Sequence, residues 1–209
     1  IGEAVAGAAF TAGTVARNGV NGAQTFGEVI AKGPIELDAD GTVTAERLIS
    51  ETAGIDVNAN AAAITELGKA ATTLGVVTLG FQDHRALRAG GAMTLDAGGP
   101  LAWAVATGDA GLVANADGKI TAGRKTDGAV ATGETTFAGA IDIDGEAGVE
   151  LDVKVESTGA RMHLSATGAL TAEDLSAARS ITVDDTGSAA IERGEAGSTF
   201  DVFTLGFQD

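Results

Sequence analysis

A small residue returns along this chain at a nearly fixed interval. Glycine or alanine stands at 41, 61, 80, 99 and 118, then at 168, 187 and 206, so that most steps are 19 or 20 residues. Apolar residues occupy alternate positions around these markers. Ile35, Leu37, Ala39, Gly41, Val43 and Ala45 give the pattern first. It returns in Leu112, Ala114, Ala116, Gly118, Ile120 and Ala122, and again in Met162, Leu164, Ala166, Gly168, Leu170 and Ala172. Looser copies start at Ile55, Met93 and Ile181, and Ile141 and Ile143 partly fill the interval between 118 and 168. Alternation of period two inside a step of this length means short strands with one buried side, stacked turn upon turn.

Parity separates this reading from a hairpin. Asp40-Gly41 resembles a two-residue hairpin turn, but such a turn would face Ala39 with Thr42 and rotate Val43 and Ala45 away from the Ile35/Leu37 side. The apolar residues keep one parity through the glycine, so the chain turns a corner and continues inward-facing. Residues Glu46–Leu67 are rich in alanine, yet the Ile55/Val57 pair and the glycine in the equivalent later stretch favour strand and corner over helix. Val149, Leu151, Val153 and Val155 share one face of a further half-exposed strand, with Glu150, Asp152, Lys154 and Glu156 on the other.

A longer repeat contains the short one. Residues Ile35–Asp83 reappear as Met162–Asp209, with 21 of 48 aligned positions identical when a gap is opened opposite Gly54. Both copies close on Thr-Leu-Gly-Phe-Gln-Asp, at 78–83 and 204–209. The repeat unit is 35–161, with 162–209 a partial second copy, and Ala4-Val5-Ala6 with Phe10 resembles Ala129-Val130-Ala131 with Phe137. The expected organisation is a single solenoid segment of a longer protein, irregular over Ile1–Pro34 and widened or looped out over Gly123–Gly139. Phe10 and Phe26 are the candidate core residues of the first part. Ordering one 20-residue coil costs on the order of 20–40 kcal/mol of backbone entropy. A lone coil has nothing to bury its faces against, so only stacked neighbours offset that cost. About ten coils at about 4.8 Å each make a rod near 48 Å.

Composition narrows the possible functions. The 209 residues carry 31 glycines, seven phenylalanines, one tryptophan and no tyrosine, a small-grained set that suits a narrow tube better than a sandwich core. The net charge of −16 excludes a phosphate-tracking nucleic-acid surface and disfavours anionic membranes. The two basic groupings, His84-Arg85 with Arg88 and Lys119 to Lys125, are too sparse for either. With no cysteine there is no disulfide, thiolate chemistry or cysteine-held metal. No apolar run is long enough for a transmembrane helix, so no membrane insertion of this segment is expected.

No residue is singled out as catalytic, cofactor-binding or metal-ligating. His84 and His163 are the only histidines, about four coils apart, and His163, between inward Met162 and Leu164, should face solvent. Asp38, Asp40, Asp117, Asp142, Asp144, Asp184 and Asp185 read as solvated corners, able at most to hold surface Ca²⁺ weakly. Trp103 reads as structural, which leaves a carbohydrate groove without an aromatic platform. The Thr-Leu-Gly-Phe-Gln-Asp signature reads as a glycine corner with Leu79 and Phe81 pointing in and Asp83 closing the turn. Phe81 is out of phase with Val43 and Ile120, so either the strand is shifted by one or a bulge intervenes. The other reading of the signature is a repeated adhesive aromatic.

The alternating motif at Leu37–Ala45, Leu112–Ala122 and Met162–Ala172 resembles the repeats of filamentous-haemagglutinin-like exoproteins of the two-partner secretion class. That resemblance implies a right-handed parallel β-helix and a non-enzymatic, structural or adhesive shaft of a large secreted or cell-surface bacterial protein. It would serve attachment, biofilm or filament formation. The partners implied are a host, sibling-cell or matrix surface, or a second copy in self-association. The competing expectations are tandem β-sandwich modules of an adhesin or surface layer, and a carbohydrate-binding or carbohydrate-cleaving β-helix.

Overall fold

A computed structural model describes residues 3–14, 22–123, 133–185 and 187–205. Among these there is no helix, and all the strand pairs are parallel. The chain is a β-solenoid of about nine turns. Parallel pairing throughout removes the sandwich alternative, which needs antiparallel neighbours.

Two sheets wind up together. Every rung of the smaller sheet is five residues long: β2 (Phe10–Thr14), β4 (Ile35–Ala39), β6 (Ile55–Ala59), β8 (Leu74–Thr78), β10 (Met93–Ala97), β12 (Leu112–Ala116), β15 (Ile141–Gly145), β17 (Met162–Ala166), β19 (Ile181–Asp185) and β22 (Phe200–Thr204). Ile141, only loosely placed by its sequence, is a full member, in register with Leu112 below and Met162 above. The larger sheet starts with β1 (Glu3–Ala6) and β3 (Gln24–Ala31). It continues through β5 (Val43–Ser50), β7 (Ala63–Ala70), β9 (Gln82–Ala89) and β11 (Leu101–Gly108). β13 (Lys119–Ala122), β14 (Glu134–Phe137), β16 (Gly148–Ser157), β18 (Ala169–Ala177), β20 (Ala189–Ile191) and β21 (Gly194–Ala196) complete it.

The parity argument holds through each marker corner. Leu37, Val43, Leu112, Ile120, Leu164 and Leu170 are all fully buried, while Thr171 is exposed and Thr42 and Thr44 are half-buried on the outer side. Parity then breaks inside the long strands. Glu46 and Arg47 both face out and Leu48 turns in, and Glu173, Asp174 and Leu175 repeat that step. Each long strand is thus two arms joined by a bend, and a turn of the solenoid has three runs of strand. In β16 the register slips between Leu151 and Lys154. Val149, Leu151, Val153 and Val155 are buried as expected, but the slip also draws Asp152 to 8% exposure, so the outer face is less open than simple alternation gives.

The irregular stretch is an insertion between two arms. β13 and β14 both pair with β11 below and β16 above, and Leu112 to Ile141 spans 29 residues instead of 19. Gly123 and Gly133, at φ +98° and +146°, bracket residues 124–132, which, Ala129, Val130 and Ala131 among them, lie outside the described residues. Positive φ is where glycine has no steric cost. Phe10 and Phe137 are not structural counterparts: Phe10 opens a rung of the smaller sheet below Ile35, whereas Phe137 ends β14 in the larger one. Phe10 and Phe26 do pack together, edge to face with ring centroids 5.9 Å apart.

The core is one continuous column of small and branched side chains between the sheets. Its grain is fine because stacked positions share space. Gly108 lies directly below Phe137, and a Cβ there would come within 2.6 Å of that ring. The long duplication occupies identical positions in the turn: β4 to β8 in one copy, β17 to β22 in the other.

Candidate functional site

The signature at 78–83 is inverted relative to expectation, and residues 206–209 of its second copy lie outside the described residues. Leu79 is 70% exposed and Phe81 45%, while Thr78 and Gln82 are buried. Register explains the correction. Gln82 stacks between Ala63 and Leu101, the column that begins Gln24, Val43, so the strand is neither shifted nor bulged. It simply carries an amide where its neighbours carry hydrocarbon. An inward amide must find partners, and the Gln82 side chain spans the core to reach them. Its Nε2 donates to the Val76 carbonyl (3.1 Å) and to the Asp96 carbonyl of the next rung (2.6 Å). Thr78 Oγ1 donates to the Gly80 carbonyl at 2.9 Å. Gln24 makes the same crossing at the start of the rod, its Nε2 donating to the Asp38 carbonyl at 2.6 Å. The signal was present in the sequence as the parity mismatch of Phe81.

His84 sits beside this clamp, stacked between Thr65 and Trp103 and 1% exposed. Its Nε2–H donates to Gln82 Oε1 (3.2 Å), and Nδ1 is buried without a partner. Burial of the ring pushes its pKa down to about 4, so it is a neutral core histidine. Trp103 is also buried, with Nε1 donating to Thr135 Oγ1 at 2.9 Å. It therefore offers no surface for stacking a sugar.

His163 lies on the outer face of the smaller sheet as expected, though half-buried between carboxylates. Nε2 is 3.0 Å from Asp184 Oδ2 and Nδ1 is 3.5 Å from Asp142 Oδ1. The two histidines are therefore on different sheets and on opposite sides of the wall. Asp40 and Asp117 do occupy corners, but Asp38, Asp142, Asp144 and Asp184 face outward from mid-rung positions, because period two places them between inward neighbours. Asn side chains interleave with them: Asn58 Nδ2 donates to Asp38 Oδ1 at 3.1 Å and Asn60 Nδ2 to Asp40 Oδ1 at 3.2 Å. Asp185 is the last residue of β19; its side chain is outside the described set. Among the described residues no group of three His, Asp or Glu is placed to hold a metal ion.

A groove of about 530 Å³ crosses the second arm of the larger sheet, floored by Ala70, Ala89, Gly90 and Gly108. Lys69 and Arg88 stand side by side on its wall, in register on β7 and β9. Neither has a carboxylate at ion-pair distance among the described residues, whereas Arg85 of the same strand reaches Glu66 at 3.4 Å. Thr107, Thr136 and Thr158 supply hydroxyls, and Asp109 and Glu134 lie farther along. Compared with family models, curated proteins and solved structures, the chain matches none of them.

Proposed function

We propose that this chain is a non-enzymatic shaft: a structural or adhesive spacer within a large secreted or cell-surface bacterial protein. The carrying observation is that three rungs, β4, β6 and β8, recur six rungs further along as β17, β19 and β22 at the same positions of one parallel stack. A stack of this kind lengthens by copying, since each added coil buries the face of the one below and needs no new core. The resemblance of the alternating motif to filamentous-haemagglutinin-like repeats points the same way. The acidic exterior, −16 in all, keeps such rods soluble. The test is an insertion. Placing a second copy of residues 79–204 after Thr204 rebuilds the signature at the junction, and should lengthen the rod by about 29 Å, six coils at 4.8 Å, in small-angle scattering. A collapsed or unfolded product would show a closed domain and sink the reading. The attachment half is tested by binding of the labelled chain to cell and matrix surfaces.

Carbohydrate binding is a second reading, favoured by the Lys69/Arg88 groove. Its ligand would be an acidic glycan, held by the two cations and the threonine hydroxyls. Binding of polygalacturonate but not neutral dextran, lost in Lys69→Ala/Arg88→Ala, would support it; equal binding of both glycans would refute it.

A further inference from the structure

The groove across the second arm of the larger sheet is lined by charges of both signs, and they are separated along the rod. Lys69, Arg88, Thr107 and Thr136 form one outward column on four successive rungs, β7, β9, β11 and β14. At about 4.8 Å per rung the column runs about 14 Å. The two cations take its first half and the two hydroxyls its second. Asp109 lies two residues beyond Thr107, at the corner, and Glu134 two residues before Thr136, so the hydroxyl half has a carboxylate on each side. All four charged side chains are exposed, and none makes an ion pair among the described residues. Elsewhere on this sheet opposite charges meet: Arg47 pairs with Glu28, Arg85 with Glu66 at 3.4 Å, and Lys154 with Glu156 at 2.8 Å. In the groove they are held apart, over a floor of alanine and glycine.

We infer that this groove takes a glycan carrying both charges, an acidic sugar beside a free amino sugar, in place of a uniform polyanion. The inference rests on the glycan reading of the groove given above and narrows its ligand. Lys69 and Arg88, one rung apart, are close enough to share one carboxylate or sulfate, with the planar guanidinium presenting two donors to it. The next sugar then lies over Thr107 and Thr136, whose hydroxyls both donate and accept. A second acidic group there faces Asp109 and Glu134, and like charges brought together cost affinity; an ammonium at the same place is attracted by both. A sugar is favoured over a peptide because the backbone beneath the groove is already paired rung to rung, which leaves no strand edge for a peptide to join. The floor of Ala70, Ala89, Gly90 and Gly108 also offers no pocket for a peptide side chain.

Hyaluronan supplies a matched pair of probes. Intact, it is a polyanion of glucuronate and N-acetylglucosamine; N-deacetylated, the same backbone carries an amine on every second sugar. In calorimetric titration at low salt the N-deacetylated polymer should bind about three- to tenfold tighter, the worth of two exposed ion pairs. Asp109→Asn/Glu134→Gln should abolish that preference and leave intact hyaluronan bound at least as tightly as before. Lys69→Ala/Arg88→Ala should lose both polymers, and Arg85→Ala, on the same strand outside the groove, neither. All five positions are exposed, so the circular dichroism spectrum and melting point should stay those of the parent. Equal or tighter binding of intact hyaluronan by the parent, or binding of polygalacturonate alone, overturns the two-charge inference and leaves the acidic-glycan reading standing. Binding of none of the three removes both. A preference that survives Asp109→Asn/Glu134→Gln, or chitosan bound as tightly as N-deacetylated hyaluronan, reduces the effect to bulk attraction by a chain of net charge −16 and overturns the inference as well. A peptide of alternating Glu and Lys bound more tightly than either hyaluronan would overturn it too, and assign the groove to a peptide.

Discussion

His84 shows how a single residue sets a pH limit on the rod. Its pKa is about 4 in the folded chain and about 6.5 when exposed, because the buried ring cannot keep a proton away from water. The unfolded chain therefore binds the proton more tightly, and stability is lost as pH falls. The contribution is complete above about 6.5, declines between there and about 4, and totals on the order of 3 kcal/mol. Urea unfolding across that window should fall more steeply for the native chain than for His84→Leu; parallel curves would show that the ring is not the group responsible. Leu164 is a purely apolar counterpart. Leu164→Asp puts an unpaired carboxylate into the tube and should cost on the order of 4 kcal/mol in the same assay, while Thr171→Asp, on the outer side, should cost under about 0.5.

At the scale of the element, the corners are governed by close approach of successive coils. A Cβ on Gly80 would lie 1.9 Å from the Ala61 carbonyl oxygen, a backbone atom that moves only with its rung. At Gly75 the nearest obstacle is the Asp56 carboxylate at 2.7 Å, the end of a mobile side chain. Gly80→Ala should therefore cost about 1–3 kcal/mol, and Gly75→Ala should stay within about 0.5 of neutral or gain slightly from reduced chain entropy. Thermal melts of the two variants check the order. Reversal of that order would mean the corner relaxes more readily than the strand. The same close stacking makes an arm-to-arm insertion tolerable, because β13 and β14 both keep their pairing with β11 and β16.

For the whole molecule, stability is a sum of coil-on-coil contacts, so no single centre holds it. A chelator such as EDTA should leave the melting temperature unchanged. A drop of several degrees on chelation, restored by calcium, would reveal a structural ion on the acidic outer face of the smaller sheet. Lengthening by whole repeat units should raise the steepness of urea unfolding roughly in proportion to the coils added while cooperativity lasts.

The sequence alone determined the short-strand repeat and its inward face, while the parallel pairing that separates a solenoid from sandwich modules came from the structure. Alternation with constant parity through Gly41, Gly118 and Gly168, at a 19–20-residue step, admits strands that turn corners and excludes tight hairpins, and the inward set from Leu37 to Leu170 follows from it. Local pattern suffices there because period two is a property of the strand itself. Three further features needed the tertiary structure. The parity break at Glu46 and Arg47 is set by a bend that closes the tube, a constraint from across the core. The fates of Leu79 and Phe81 were decided by the column they stack in, where Gln82 finds carbonyls two rungs of the other sheet can offer. His84 became a core residue because its place in register lies between Thr65 and Trp103. In a stack, the neighbours that fix a side chain's surroundings lie about 20 residues away in sequence, and only the register brings them together.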